Sequence, residues 1–175
     1  TIQSHQLGVS GGDKKTQFNI SANYFNDKGI IYNQDFTRYT FRLNLDHQIS
    51  RNVKVGTSTL LVYSERNGEN FNPYGGALQE NPLGKPYDDA GNLIFLPTSD
   101  GLRTNPIAEV IPGAIVNLTK RIRMFTSLYG EWEILEGLKY RVNFGPDFTD
   151  ARSGTFTGSQ TNARRGGQAV ANTSY

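Results

Sequence analysis

The sequence predicts an all-β fold: an antiparallel up-and-down meander forming a partial segment, about six strands, of a large transmembrane β-barrel. Three observations predict it. Apolar and polar residues alternate with period two, connections alternate between short and long, and aromatic residues sit at both ends of the apolar faces. Period two is the strand period, because successive side chains point to opposite sides of a pleated backbone.

The clearest strands come early. Over 16–25 one face reads Phe18, Ile20, Ala22, Tyr24 and the other Gln17, Asn19, Ser21, Asn23. Over 38–49 Tyr39, Phe41, Leu43, Leu45 and Ile49, interrupted by His47, oppose Arg38, Thr40, Arg42, Asn44, Asp46 and Gln48. A face carrying charges and amides at every position must meet water.

Four further segments follow with more exceptions. Residues 3–12 set His5, Leu7 and Val9 against Ser4, Gln6 and Ser10. Residues 53–64 begin with Val53, Val55, Thr57, Thr59, Leu61 and Tyr63 against Lys54, Gly56 and Ser58, then turn apolar on both sides at Leu60 and Val62. Residues 118–134 set Met124, Thr126, Leu128, Gly130, Trp132 and Ile134 against Arg123, Ser127, Glu131 and Glu133, with Phe125 and Tyr129 on the polar side. Residues 138–148 set Leu138, Tyr140, Val142 and Phe144 against Lys139, Arg141 and Asn143. Beyond Phe148 the chain enters another polar, Gly-rich stretch that has not resolved by Val170.

The connections at 12–15, 50–52 and 135–137 are tight, and those at 26–37 and 71–117 are long. Successive hairpin connections lie at opposite ends of a meander, so the short turns gather at one end and the long loops at the other. Outer-membrane barrels sort their loops in this way, with short periplasmic turns and long extracellular loops; a soluble sandwich has no reason to. Tyr24, Tyr39 and Tyr63 fall toward the long loops, and Trp132 and Tyr140 toward the short turn at Glu136, as two interfacial belts would. Within the long loop, 87–94 reads as a small hairpin and Asn81-Pro82 and Asn105-Pro106 as turns.

Composition agrees. The chain is 36% hydrophobic, 11% aromatic and 19% charged, with 19 glycines, no cysteine and a formal charge of +2. Near-neutrality gives no footprint for nucleic acid, and the absence of cysteine excludes disulfides and thiolate metal sites. No apolar run reaches the length of a transmembrane helix, while a mean hydropathy of −0.52 is compatible with barrel strands. The chain opens Thr-Ile-Gln-Ser, without initiator Met or signal peptide, and reads as an internal segment.

The run His5-Gln6-Leu7-Gly8-Val9-Ser10-Gly11-Gly12, then Lys15-Thr16, Tyr24-Phe25, Gly29-Ile30, Phe36-Thr37-Arg38-Tyr39, Arg42-Leu43-Asn44-Leu45-Asp46 and Lys54-Val55-Gly56, resembles the early barrel of SusC/RagA-type TonB-linked outer-membrane proteins, just after the plug. So do 87–94, Asn105-Pro106-Ile107-Ala108-Glu109 and Glu136-Gly137-Leu138-Lys139, and together these cover nearly the whole chain in order. The resemblance implies that residues 1–175 are a barrel fragment with a long extracellular loop at about 67–117 and with plug and TonB box elsewhere. It implies a barrel of about 22 strands with a plugged lumen, in the outer membrane of a Gram-negative bacterium. It further implies import of glycans or peptides, a SusD-like surface lipoprotein as partner, and energy from the TonB complex. The alternatives are a soluble carbohydrate-binding sandwich and a passive porin or adhesin barrel.

No catalytic constellation stands out, so the chain reads as a non-enzyme with neither cofactor nor metal. His5 and His47 lack a nearby nucleophile pattern, and no phosphate loop or nucleophile elbow is present. Asp88-Asp89 with Asn92 has oxygen ligands at short spacing, but lacks the further ligands and distal Glu of a calcium loop; a plain turn is the simpler reading. The candidate functional set is the lumen-facing charges Arg38, Arg42, Asp46, Arg123, Glu131 and Arg141, with Glu133 and Lys139 beside them. Either they line the plug and substrate path, or they form a solvated ladder of cross-strand pairs. In the long loop Phe71, Tyr74, Tyr87 and Phe95 are candidates for contact with substrate or lid, since loops carry function on rigid scaffolds; equally, they fold the loop on itself.

Overall fold

The computed structural model describes residues 1–68, 72–99 and 101–175. One antiparallel sheet holds eight strands: β1 (Ile2–Gly12), β2 (Thr16–Lys28), β3 (Asp35–Gln48), β4 (Val53–Asn67), β5 (Ile115–Leu135), β6 (Leu138–Phe144), β7 (Asp147–Thr157) and β8 (Val170–Ser174). The strand order is that of a meander, with β6 and β7 both beside β5. The fold is a partial barrel wall.

The expectation of about six strands covers every pass of the wall but β8 (Val170–Ser174). The sixth predicted strand, 138–148, is divided at Gly145-Pro146 into β6 and the start of β7. Register is unbroken across the division: Leu128 faces Phe144, and Phe125 faces Asp147. Proline has no N–H to give the ladder, yet its carbonyl still accepts from Thr126 N at 3.0 Å. β6 and β7 are thus one pass of the wall. β8 then returns along β7 from Val170, after a connection over 158–169.

Cross-strand partners share a face, so the register sorts every side chain. On the apolar face Leu7, Ala22, Phe41, Leu61, Met124 and Phe148 form one row. The row toward the long loops is His5, Tyr24, Tyr39, Tyr63 and Ile122. Its rings touch in series, with centroids 6.2, 5.2 and 6.2 Å apart. Toward the short turns Val53, Trp132 and Tyr140 form the opposite limit. Ten residues separate Ile122 from Trp132 along β5, roughly 34 Å of strand. A tilt of about 40° reduces that to roughly 25 Å, the height of the apolar band of an outer-membrane barrel.

Charges return on the same face one row beyond the tyrosines, where Lys120 Nζ meets Glu65 at 3.2 Å. At the other end Thr16 Oγ1 and His47 Nδ1 share a hydrogen bond of 2.8 Å. The turn at 13–15 is tied by Asp13, whose carboxylate accepts from the backbone N–H of Lys15 and Thr16, both at 2.7 Å. Those donors, Thr16 first, hold the Asp13 carboxyl below its ordinary range.

Among the described residues, nothing covers either face of the sheet. The buried residues among those described, Gly68, Pro73, Thr104, Asn105, Ala108 and Thr161, lie in the connections at the long-loop end. The 68–114 connection contains two short helical turns, α1 (Pro73–Ala77) and α2 (Ile107–Val110). It docks on the 158–169 connection: Gly158 N donates to Ala114 O at 2.7 Å, and Asn162 N to Glu109 Oε1 at 3.1 Å. Packing in this chain is therefore concentrated above the sheet.

Candidate functional site

The polar face is the face that solvation and sequence pattern single out, and it has two electrostatic halves. Toward the short turns, Asp46 of β3, Gly56 of β4 and Tyr129 of β5 stand in one cross-strand row. A side chain at Gly56 would collide with both neighbours; its absence lets the Tyr129 ring lie across β4, and the phenol donates to Asp46 Oδ1. Arg141 stacks over the same ring at 4.2 Å. Lys54 approaches Asp46 at 3.9 Å, and Lys139 and Arg141 each approach Glu131 at 3.7 Å. These groups are partly exposed, so each ion pair contributes about 0–1 kcal/mol. Their effect is to neutralise this half locally.

The half toward the long loops differs. Arg123 forms a bidentate pair with Asp147, at 2.6 and 3.2 Å. Phe25 and Phe36 lie 6.1 Å apart, with Arg38 over the first ring at 5.3 Å and Arg66 over the second at 5.8 Å. Arg38 shares a row with Ser64 and Arg121, and Arg42 shares one with Leu60 and Phe125. Among the described residues no carboxylate lies within 4.0 Å of Arg38, Arg42 or Arg121.

All six charges singled out from the sequence (Arg38, Arg42, Asp46, Arg123, Glu131 and Arg141) therefore occupy one face. The structure separates them: Asp46, Glu131 and Arg141 join the paired half, Arg123 has Asp147, and Arg38 and Arg42 stand apart. Sequence pattern alone missed Gly56, Asp147, Phe25 and Phe36. Gly56 carried a usable signal, being a glycine inside an alternating strand; Asp147 carried none, because its pairing depends on register across 24 residues.

The loop candidates do not converge. Tyr74 and Tyr87 are exposed and Phe95 is half-buried, and none of the ring pairs among the described residues joins them. Phe71 lies outside the described residues. The organising residue is Asn105. Its amide donates to Pro86 O at 2.8 Å and Ile94 O at 2.9 Å, and its Oδ1 accepts from Ile107 N at 3.1 Å.

The small hairpin is present as a bridge between Tyr87 and Leu93. Asp88 closes it, accepting from Ala90 N, Asn92 N and Asn92 Nδ2 at 2.9, 2.7 and 3.1 Å. These donors, the Asn92 side chain first, hold the Asp88 carboxyl below its ordinary range. The Asp88 carboxylate thus accepts three N–H groups and closes the turn.

The fold and its faces define a class: an amphipathic antiparallel meander with sorted connections, of the kind that walls a membrane barrel. The relatives narrow it. The chain is 29% identical over 162 residues to TonB-dependent receptor P26 of Formosa agariphila, a match covering 91% of this chain. It is 26% identical over 164 residues to TonB-dependent receptor P3 of the same organism, covering 89%. In both cases it spans 16% of the relative's length. No family model matches the chain. These similarities support a TonB-dependent receptor region.

Proposed function

We propose that this chain is a section of the barrel wall of a TonB-dependent outer-membrane importer. The observation carrying the proposal is the pair of aromatic limits, ten residues apart along β5, combined with short connections at one end and long ones at the other. The apolar face then meets lipid, the polar face lines the lumen, the short turns are periplasmic and the 68–114 loop is extracellular. Similarity to two TonB-dependent receptors supports the same reading.

The finer assignment rests on the motifs that resemble SusC/RagA-type proteins. On that reading the complete protein carries an upstream plug and TonB box, works with a SusD-like surface lipoprotein, and imports glycans or peptides. The exposed Tyr74 and Tyr87, with Phe95, are the loop residues available to meet substrate or lipoprotein. Membrane fractionation of the native producer tests the localisation, and heat-modifiable migration tests the barrel. Uptake in a strain lacking TonB tests the coupling. Recovery of the full-length protein as a soluble monomer without detergent would defeat the reading.

A further inference from the structure

The polar face contains a groove of about 470 Å³ lined by Ser4, Gln6, Ser21, Asn23, Arg38, Thr40, Arg42, Leu60 and Val62. Two features of it lie outside the ladder of cross-strand ion pairs. Arg38 and Arg42 point from β3 with no carboxylate partner among the described residues. Leu60 and Val62 break the polar alternation of β4 and form a low apolar floor between β3 and β5. A ladder of cross-strand ion pairs accounts for the short-turn half of this face, where Asp46 and Glu131 meet Lys54, Lys139 and Arg141. It does not account for the other half. There, from the Phe25–Arg38 row to the Ser21–Arg42 row, Arg38, Arg42, Arg121 and Arg123 share the face, among the described residues, with the single carboxylate Asp147.

We propose that this groove is a binding site for an acidic oligosaccharide, one bearing carboxylate or sulfate groups. The inference rests on the importer reading above and specifies its substrate class. The cations are all arginines, whose planar guanidinium matches a carboxylate or sulfate edge with two parallel hydrogen bonds. Arg38 and Arg42 are four residues apart on one strand, roughly 13 Å, so they engage separate charged groups of an extended ligand. Between them Thr40, Ser21, Asn23, Ser4 and Gln6 offer hydroxyl and amide partners to a hydroxyl-rich chain. The Leu60–Val62 floor accepts the apolar face of a sugar ring, and Arg121, across the floor in the Arg38 row, supplies positive potential from the far side. An acidic peptide would satisfy the arginines but brings few hydroxyls to Thr40, Ser21 and Gln6.

The test is equilibrium binding to the full-length protein in detergent. The probes are oligogalacturonate, oligoalginate and chondroitin sulfate oligosaccharides, beside neutral xylo-oligosaccharides and poly-glutamate. At least one acidic oligosaccharide binds more tightly than the neutral set and than poly-glutamate, and added salt weakens it. The double substitution Arg38→Gln with Arg42→Gln weakens that binding by about tenfold or more. Arg38→Lys with Arg42→Lys, which keeps the charge and loses the fork, restores only part of it. Heat-modifiable migration of both variants stays as in the parent, which separates lost binding from lost folding.

Failure of every acidic oligosaccharide to bind overturns the inference, as does equal binding to parent and Gln variant. Poly-glutamate binding as tightly as the sugars, with loss in the same variant, overturns the carbohydrate assignment. None of these results touches the importer reading, which fails instead on a protein absent from the outer membrane.

Discussion

The phenol of Tyr129 reaches across a neighbouring strand to donate to the Asp46 carboxylate, two strands away on the polar face. Gly56 lies between them, and a Cβ there would occupy the space the ring now fills. An aromatic ring laid over a strand glycine replaces the packing that the glycine lacks. The arrangement locks β3, β4 and β5 at one level and positions Arg141 on the exposed side of the ring.

Gly56→Val therefore expels Tyr129 from its place, whereas Tyr129→Phe leaves the ring and removes only the hydrogen bond. The first is expected to destabilise by about 1–3 kcal/mol and the second by about 1 kcal/mol. Urea unfolding of the full-length protein in lipid vesicles checks the order. Equal effects would show that the glycine serves turn or folding requirements rather than the ring.

The apolar face makes a depth-dependent prediction. Leu43 lies near the middle of the band, paired with Ile20 and Thr59, while Gln3 lies in the row beyond the tyrosines with Asn26 and Thr37. Arg at Leu43 is expected to cost about 2–4 kcal/mol and Arg at Gln3 about 0–1 kcal/mol. Asn19→Arg, at mid-height on the polar face, is expected to be tolerated. Vesicle refolding equilibria measure all three; a flat profile across Leu43 and Gln3 would remove the lipid contact.

Where the sequence was legible follows from the same geometry. Tyr39, Phe41, Leu43 and Leu45 alternate visibly because lipid-like surroundings demand an apolar residue at every second position. β7 defied that pattern: on the apolar side it presents Phe148, then Asp150, Arg152 and Gly154. Asp150 stands opposite Ile122, in the row where the band ends, so from there on no apolar partner constrains the strand. β8 lies wholly beyond that level, paired with Ser153 to Thr157. Periodicity thus reported the band and was silent above it. The two halves of the polar face were equally unreadable, since the pairing of Arg123 with Asp147 is set by register, and the lack of pairing at Arg38 likewise. The loop was legible only at Asn105-Pro106 and the 87–94 hairpin, because its remaining order comes from contacts without period.

Those contacts make Asn105 the residue to remove. Asn105→Ala removes one donor from each of the Pro86 and Ile94 carbonyls, the first of which keeps Ile94 N, and the acceptor of Ile107 N, a loss of about 1–3 kcal/mol confined to the loop. Limited proteolysis of the full-length protein should then nick 68–114 faster, with heat-modifiable migration unchanged. Unaltered nicking would mean that packing on the 158–169 connection holds the loop without Asn105.

The Asp88 turn gives a pH dependence of known sign. Its carboxyl titrates below the ordinary range because the charged form accepts from Asn92 and Ala90. A depressed folded-state pKa contributes stability that is present above the unfolded value and is lost as pH falls through the folded one. The hairpin at 87–94 should therefore loosen only in acid below the usual carboxylate range. Asn92→Ala removes the largest cause and should bring the Asp88 titration upward, read from the Asp88 carboxyl shift by NMR. An unmoved titration would assign the effect to the backbone donors alone.

The uncovered sheet leads to the last expectation, for the 175-residue chain expressed by itself. β1 and β8 end the strand order without pairing to each other, so each presents unmatched backbone groups to a further strand. The apolar face adds exposed Leu7, Phe41, Leu61, Met124, Phe148 and Trp132. Contiguous apolar surface on that scale drives association, and open edges give the association a direction. In aqueous buffer the isolated chain should form β-rich aggregates; in detergent the apolar face is covered and the aggregates should give way to small soluble species. Size-exclusion chromatography with circular dichroism in both conditions follows the change. A monodisperse monomer in plain buffer, unfolding cooperatively, would mean that the apolar face closes on itself as a sandwich, and the barrel-wall assignment would fall with it.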